Sequence, residues 1–420
     1  MLRGAAMSTI TRRQFAVDGF IFAFAARALP AERINPSRNR AIDETLSSGI
    51  VKRRIPAVTA VIATREQIIY QGAFGKRDSV SGINIKPDAI FAIASMTKAI
   101  TSAAALQLVE QGRLTLTEPV SKHLPQLANI KVLDGYDDAG QPTFHPVRTP
   151  ITLKHLLTHT SGFCYDRWSD EMMRWEKATG AGLTSGVAPM VPLMFEPGTR
   201  WHYGYSLDWT GKLVEAISGM TLEQYFQQNI FKPLGMNDTT FILPPEKFDR
   251  LVTASDRQPD GVLKERTRAM PSPPAAFNGG GGLYSTAGDY VKFMQMILRK
   301  GRGPEGDVLL RPKTVAMMST NQIGKLGAGT LKTQNPASSS DVDLHPGATD
   351  RWGLGFLINE AAYPGGRSAG SLAWAGLNNT FYWIDPKRDL CATIMMQFLP
   401  FVDKEAVGLL GDFERAVYSA

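Results

Sequence analysis

Apolar and polar positions change period several times along the chain, and the changes divide it into elements. In Ala99-Ile-Thr-Ser-Ala-Ala-Ala-Leu-Gln-Leu-Val-Glu-Gln-Gly112 the apolar positions Ala103, Leu106, Leu108 and Val109 recur at roughly helical spacing among strong helix formers. Gly112 supplies the stop. Ala41 to about Arg53 predicts a shorter helix, and Ala57–Ala63 with Ile68–Phe74, two β-branched runs joined by a polar turn, predicts a hairpin. Leu153–Thr158 reads as a helical turn, and Leu207–Ile217 and Thr221–Phe231 read as helices. The last of these opens on the capping-box pattern Thr221-Leu-Glu-Gln224 and ends at Lys232-Pro-Leu-Gly235. Thr286–Leu298 predicts a further helix, closed by Lys300-Gly301. The Asp- and Pro-rich stretch up to about Pro150 reads as loop, as does the aperiodic stretch from Gly324 to about Arg351. Strand patterns return at Trp352–Ile358, Thr380–Ile384 and Cys391–Phe398, and Lys404–Val417 predicts a closing helix.

Strands at both chain ends with helices between them predict an α/β fold of the α+β type. One antiparallel sheet is built from both termini and flanked by helices. Residues 32–420 are then one domain, with a mainly helical lobe of about 100–275 inserted in an α/β lobe. The net charge of +7 is modest for 420 residues, and no Lys/Arg run interleaved with aromatics occurs, which argues against nucleic-acid binding. Cys164 and Cys391 make neither a disulfide framework nor a zinc pattern and read as buried packing residues. Near the start, Thr11-Arg12-Arg13-Gln14-Phe15 precedes a mildly apolar run from Ala16 to Leu29, followed by Pro30-Ala31. This predicts a twin-arginine export signal over residues 1–31 and a periplasmic or exported protein, although Asp18 interrupts the run; the alternative is an N-terminal helix of a cytoplasmic protein. The run is too short and too polar to span a membrane.

The candidate chemistry begins in Phe91-Ala-Ile-Ala-Ser95-Met-Thr-Lys98. Ser95 stands at the first turn of the predicted helix and Lys98, three residues on, shares its face. A serine beside a lysine at the positive end of a helix dipole is an activated nucleophile. S-x-x-K arises about once by chance in a chain of this length, so the rest of the sequence has to support the reading. A lysine ammonium favours the phenolate of a neighbouring tyrosine, so Ser, Lys and Tyr together can share one mobile proton. Tyr203 and Tyr205, in Pro197-Gly-Thr-Arg-Trp-His-Tyr203-Gly-Tyr205-Ser-Leu-Asp208, are the candidate tyrosines.

Together with four further stretches, these residues resemble the class C β-lactamase-like and penicillin-binding-protein-like serine hydrolases, and most closely the family VIII carboxylesterases. The stretches are Leu156-Leu-Thr-His-Thr-Ser-Gly162, Pro197-Gly-Thr-Arg-Trp201, Pro233-Leu-Gly-Met-Asn-Asp-Thr-Thr240 and Gly281-Gly-Leu-Tyr-Ser-Thr-Ala287. They fall in family order, and the resemblance runs from about Ile42 to the C-terminus. It implies a β-lactamase/transpeptidase-like fold, with Ser95, Lys98 and Tyr203 as the catalytic group. Tyr205 stands where β-lactamases of this class carry the asparagine of Tyr-x-Asn. Trp374-Ala375-Gly376 stands where they carry Lys-Thr-Gly, as Trp-x-Gly does in the esterases. By the same resemblance, the backbone N–H groups of Ser95 and Leu377 form an oxyanion hole.

Asparagine in Tyr-x-Asn binds an acylamino side chain, and Lys-Thr binds a carboxylate. Tyr205, Trp374 and Ala375 offer mostly apolar contacts instead, so the expected substrate is a neutral, hydrophobic small-molecule ester rather than an anionic β-lactam. No metal or organic cofactor is implied. Alternatives within the enzyme class are β-lactamase or D-amino-acid peptidase or amidase activity, and acyl transfer. The alternative of another class is a non-catalytic binder of peptidoglycan-like ligands, which has no need of Ser95, Lys98 and Tyr203 together.

Three patterns are decoys. Gly366-Arg-Ser368-Ala-Gly370 matches the G-x-S-x-G elbow, but no histidine follows it to complete a triad in that order. His155-Leu-Leu-Thr-His159 has metal-ligand spacing, but Leu156 stands where H-E-x-x-H needs glutamate, so both histidines read as structural. Gly279-Gly-Gly-Gly282 lacks a following Gly-Lys-Ser/Thr and reads as a place of close backbone approach near the site. The Gly324–Arg351 loop is a candidate border of the pocket.

Overall fold

The computed structural model describes residues 36–181 and 188–419, so the expected export signal over residues 1–31 lies outside the described residues. Helix α1 (Pro36–Lys52) leads into the hairpin of β1 (Ala57–Ala63) and β2 (Ile68–Gly75). A short β3 (Ile90–Ala92) and a 3-10 turn (Ala94–Met96) enter α2 (Thr97–Glu110), and Gly112 follows in the left-handed region. The stretch read as loop up to Pro150 contains a second hairpin, β4 (Lys131–Tyr136) and β5 (Pro142–Pro146). A bulge near Gly135 and the prolines bounding β5 broke the alternation that marks a strand.

Next come α3 (Leu153–Leu157), α4 (Asp170–Thr179) and α5 (Ser206–Ser218). Helix α4 does not stand out in the sequence pattern, yet it has an N-cap on Ser169 and a left-handed stop at Gly180. The capping box at Thr221 and Gln224 is present and opens α6 (Leu222–Phe226). A π-helical turn (Gln227–Phe231) and α7 (Lys232–Leu234) continue it to Gly235. Strands β6 (Ser255–Arg257), β7 (Leu263–Glu265) and β8 (Tyr284–Thr286) precede α8 (Ala287–Leu298) and α9 (Pro312–Met318).

The expected single strand Trp352–Ile358 is two short ones, β9 (Arg351–Trp352) and β10 (Leu357–Ile358), because the chain turns at Gly353 and Gly355. Strands β11 (Leu372–Gly376), β12 (Thr380–Asp385), β13 (Leu390–Met395) and β14 (Phe398–Leu399) follow, and α10 (Lys404–Tyr418) ends the chain. Trp374, Ala375 and Gly376 therefore sit on a strand of their own. Among the described residues no helix is long and apolar enough to cross a membrane.

The main sheet runs β2-β1-β13-β12-β11-β10-β9, every neighbouring pair antiparallel, so strands from both chain ends join in one sheet at the β1–β13 pair, as expected. Every residue of β1, β12 and β13 is buried, the mark of a sheet covered on both faces. Alternation along β12 shows the two coverings. Tyr382 meets Tyr290 of α8 at 5.0 Å between rings, while Trp383 meets Phe413 of α10 at 5.6 Å. Helices α2, α3, α5 and α6 pack on one another in the segment between the sheet's two contributions. The β3–β8 pair then sets the Ser95 stretch beside Gly279–Gly282.

Candidate active site

Ser95 is held by a strained turn. Ala94, just before it, has φ +43°, a left-handed conformation that costs a residue with a Cβ about 1–2 kcal/mol. Strand β11 approaches this turn so closely that a Cβ on Gly376 would stand 2.2 Å from the Ile93 carbonyl oxygen. Asn378 Nδ2, in the turn after β11, donates to the Ala92 carbonyl at 3.1 Å. Among the described residues the backbone N–H groups of Ser95 and Leu377 have no hydrogen-bond acceptor, and both residues line the same cleft. Ala375 and Tyr205 line it as well. Gly376 stands behind the cleft wall, where it lets the strand come close to the Ser95 turn.

Lys98 is buried, and its Nζ donates to three oxygens. They are Ser95 Oγ at 3.2 Å, Tyr165 OH at 3.1 Å and the Gly280 carbonyl at 2.6 Å. Three acceptors match the three N–H bonds of an ammonium. Tyr165 OH in turn donates to Asp208 Oδ2 at 3.1 Å, and Asp208 is buried in the first turn of α5. Burial pushes the Asp208 carboxyl above its ordinary value, with Lys98 pulling the other way. Burial and then Asp208 push the Tyr165 phenol well above its own.

Tyr203 meets Lys98 differently from the expected hydroxyl contact. Lys98 Nζ lies over the face of its ring, 4.7 Å from the centroid. Its hydroxyl accepts a 2.9 Å hydrogen bond from Trp374 Nε1. Trp374 is thus more than an apolar wall: its indole N–H fixes the tyrosine oxygen. Tyr205 meets Tyr165 edge-on at 4.4 Å, and burial raises its phenol.

The sequence reading missed Tyr165 and Asp208. Tyr165 follows the Leu156–Gly162 stretch by three residues, and Asp208 reads as an ordinary acidic residue in a helix's first turn. The glycine run supplies the signal in hindsight. A Cβ on Gly280 would stand 2.2 Å from Asp208 Oδ2, and one on Gly279 2.4 Å from the Leu207 carbonyl. These glycines let the chain lie against α5 with the Gly280 carbonyl turned to Lys98.

The two histidines have separate structural tasks. His155 Nδ1 accepts from the Thr152 N–H in the cap of α3. His159 Nδ1 accepts from the Gly204 N–H at 3.4 Å, and its ring packs 4.5 Å from that of Tyr203. Burial first, and Lys98 second, push His159 well below its ordinary pKa, so it is neutral. The Gly366–Gly370 stretch is clamped to α10 by a buried Arg367–Glu414 ion pair.

The cleft above Ser95 has a volume of about 340 Å³, within the range of small-molecule sites. Its walls carry the aromatic residues Tyr165, Trp168, Tyr203, Tyr205, Trp374 and Phe401 together with the charged Asp166, Arg167, Glu176 and Asp208. Leu331 brings the Gly324–Arg351 loop to its border as expected.

The family model described as Beta-lactamase matches residues 39–412. Monacolin J acid methylbutanoyltransferase of Aspergillus terreus is 32% identical over 414 residues, covering 90% of this chain and 95% of that protein. Lovastatin esterase of Penicillium rubens is 32% identical over 403 residues, covering 90% and 98%. The solved structure of unliganded simvastatin synthase from Aspergillus terreus superposes with a TM-score of 0.76 at 30% identity, covering 92% of this chain and 99% of that one.

Proposed function

The chain belongs to the β-lactamase family of serine hydrolases, and we propose that its own reaction is cleavage of neutral, hydrophobic carboxylic esters through an acyl-enzyme on Ser95. One observation carries the reading: Lys98 Nζ stands 3.2 Å from Ser95 Oγ at the floor of an aromatic cleft. Ser95 Oγ attacks the acyl carbon and forms the new C–O bond. Its proton passes to the Tyr203 oxygen, beside the Lys98 ammonium, and Tyr203 hands a proton on to the leaving alcohol as the bond to that alcohol breaks. Water then attacks the acyl carbon, and its proton returns along the same route to Ser95 Oγ. The carbonyl oxygen carries negative charge in both steps, and the unpaired N–H groups of Ser95 and Leu377 are available to hold it. Donors of this kind contribute roughly 3 kcal/mol each to the transition state.

Substrate preference follows from what the walls lack. Trp374 and Ala375 put no cation where Lys-Thr would hold a β-lactam carboxylate, Arg167 on the cleft wall is engaged with Ser338 Oγ at 2.9 Å, and Tyr205 stands where an amide-binding asparagine would. A second reading, transfer of the acyl group to an alcohol in place of water, is favoured by the relative named for methylbutanoyl transfer. The two readings share the acyl-enzyme and differ only in the final acceptor.

The test is mass spectrometry of the intact protein after brief exposure to p-nitrophenyl butyrate, with and without a small alcohol. A butyryl adduct on the peptide holding Ser95, absent in Ser95→Ala, supports the acyl-enzyme. No adduct and no reaction of Ser95 with a fluorophosphonate would leave a non-catalytic ligand binder. Butyrate released at the same rate with the alcohol present favours hydrolysis, and butyrate ester in its place favours transfer.

A further inference from the structure

The established family fold accounts for the serine and the lysine but not for the buried acid behind them. We propose that Asp208 is a positioning residue for acyl transfer. Acting through the Tyr165 hydroxyl, it keeps Lys98 a three-donor ammonium aimed at Ser95 Oγ.

A phenol has a single proton to give. A carboxylate only accepts, so Tyr165 gives its proton to Asp208 Oδ2, 3.1 Å away. Its lone pair then faces Lys98 Nζ at 3.1 Å. The Gly280 carbonyl takes the second N–H of Lys98, and the third points to Ser95 Oγ. If Asp208 could donate, the Tyr165 proton would turn toward Lys98, and Lys98 would have to yield a proton or leave Ser95.

Charge supports the same role. Among the described residues Lys98 makes no direct ion pair, and Asp208, one phenol away, feels its charge. The titratable groups around the pair are Tyr165 from the loop after α3, Tyr203 and Tyr205 from the segment before α5 and His159 just beyond α3. Asn278, from the glycine segment, is an uncharged neighbour of Asp208. His159 is neutral, so the carboxylate of Asp208 answers the ammonium of Lys98. The site is also built around it, since Gly280 has no room for a side chain against Asp208.

The proposal rests on Ser95 as nucleophile but does not depend on the ester substrate, and the readout keeps the two apart. Wild type, Asp208→Asn and Tyr165→Phe, all full-length, are labelled with a fluorophosphonate across pH 5–9, with melting temperatures recorded. Both variants are expected to label Ser95 about tenfold or more slowly near neutrality, with the pH–rate curve displaced from the wild-type one. Folded variants that keep the wild-type curve, or lose the same factor at every pH, overturn the proposal. If Asp208→Asn fails to fold, Tyr165→Phe decides, because it cuts the link and leaves the acid in place. Wild type that labels but turns over no ester sinks the ester reading alone.

Discussion

At the scale of single residues, Ser95 and Lys98 were readable because their contact is local, three residues along one helical turn. Tyr203 was reached only through a turn motif. Tyr165 and Asp208 were out of reach. The Lys98–Tyr165 bond spans 67 residues and the Lys98–Gly280 bond 182, and no period in the sequence encodes such partners. The donor role of Trp374 was hidden for the same reason, since residue type alone suggests a wall. Trp374→Phe keeps the aromatic bulk and removes the N–H that Tyr203 accepts. We expect kcat on a butyrate ester to fall about tenfold, with KM within about threefold. A variant that loses only KM would make Trp374 a substrate contact.

Asp208 gives a prediction for stability as well. Its carboxyl is raised from 3.8, chiefly by burial. A raised carboxyl contributes stability that is fully present below the unfolded value and is lost as the pH climbs through the folded one. Asp208→Asn has no such titration. The melting temperature of the variant minus that of wild type should therefore grow more positive from about pH 4 toward neutrality. A flat or falling difference over that window contradicts the assignment of Asp208 as a strained, buried acid.

At the scale of elements, the main strands and helices followed the hydrophobic pattern, and the departures have local causes. Gly135 and the bounding prolines hid the β4–β5 hairpin, and Gly353 and Gly355 split one expected strand in two. The closest fit between elements is that of β11 and the turn before Ser95, which meet at Gly376. Its neighbour there is backbone, which cannot rotate away. Gly376→Ala should move β11 off the Ile93 carbonyl and cost about 1–3 kcal/mol in urea unfolding. It should also slow Ser95 labelling in the folded variant, because Leu377 moves with the strand. Unchanged stability would mean that the strand has slack the contact does not suggest.

At the scale of the whole molecule, a sheet assembled from both chain ends fixes one side of the cleft, and the helices between them fix the other. Trp374 on β11 meets Tyr203, which immediately precedes α5, so the site forms only when the two contributions are docked. That architecture was legible, because strands at both ends with helices between leave few arrangements. The expected substrate preference rests on the residues at the Lys-Thr-Gly position, Trp374-Ala375-Gly376.

Ester cleavage by Ser95, in a cleft with no cation at the Lys-Thr position, stands at the centre of the proposed function. Its most direct test is a paired rate measurement on p-nitrophenyl butyrate and nitrocefin, with wild type and Ser95→Ala. Fast butyrate hydrolysis, slow nitrocefin turnover and loss of both in Ser95→Ala is the predicted result. Efficient nitrocefin turnover, or ester hydrolysis that survives Ser95→Ala, would contradict it.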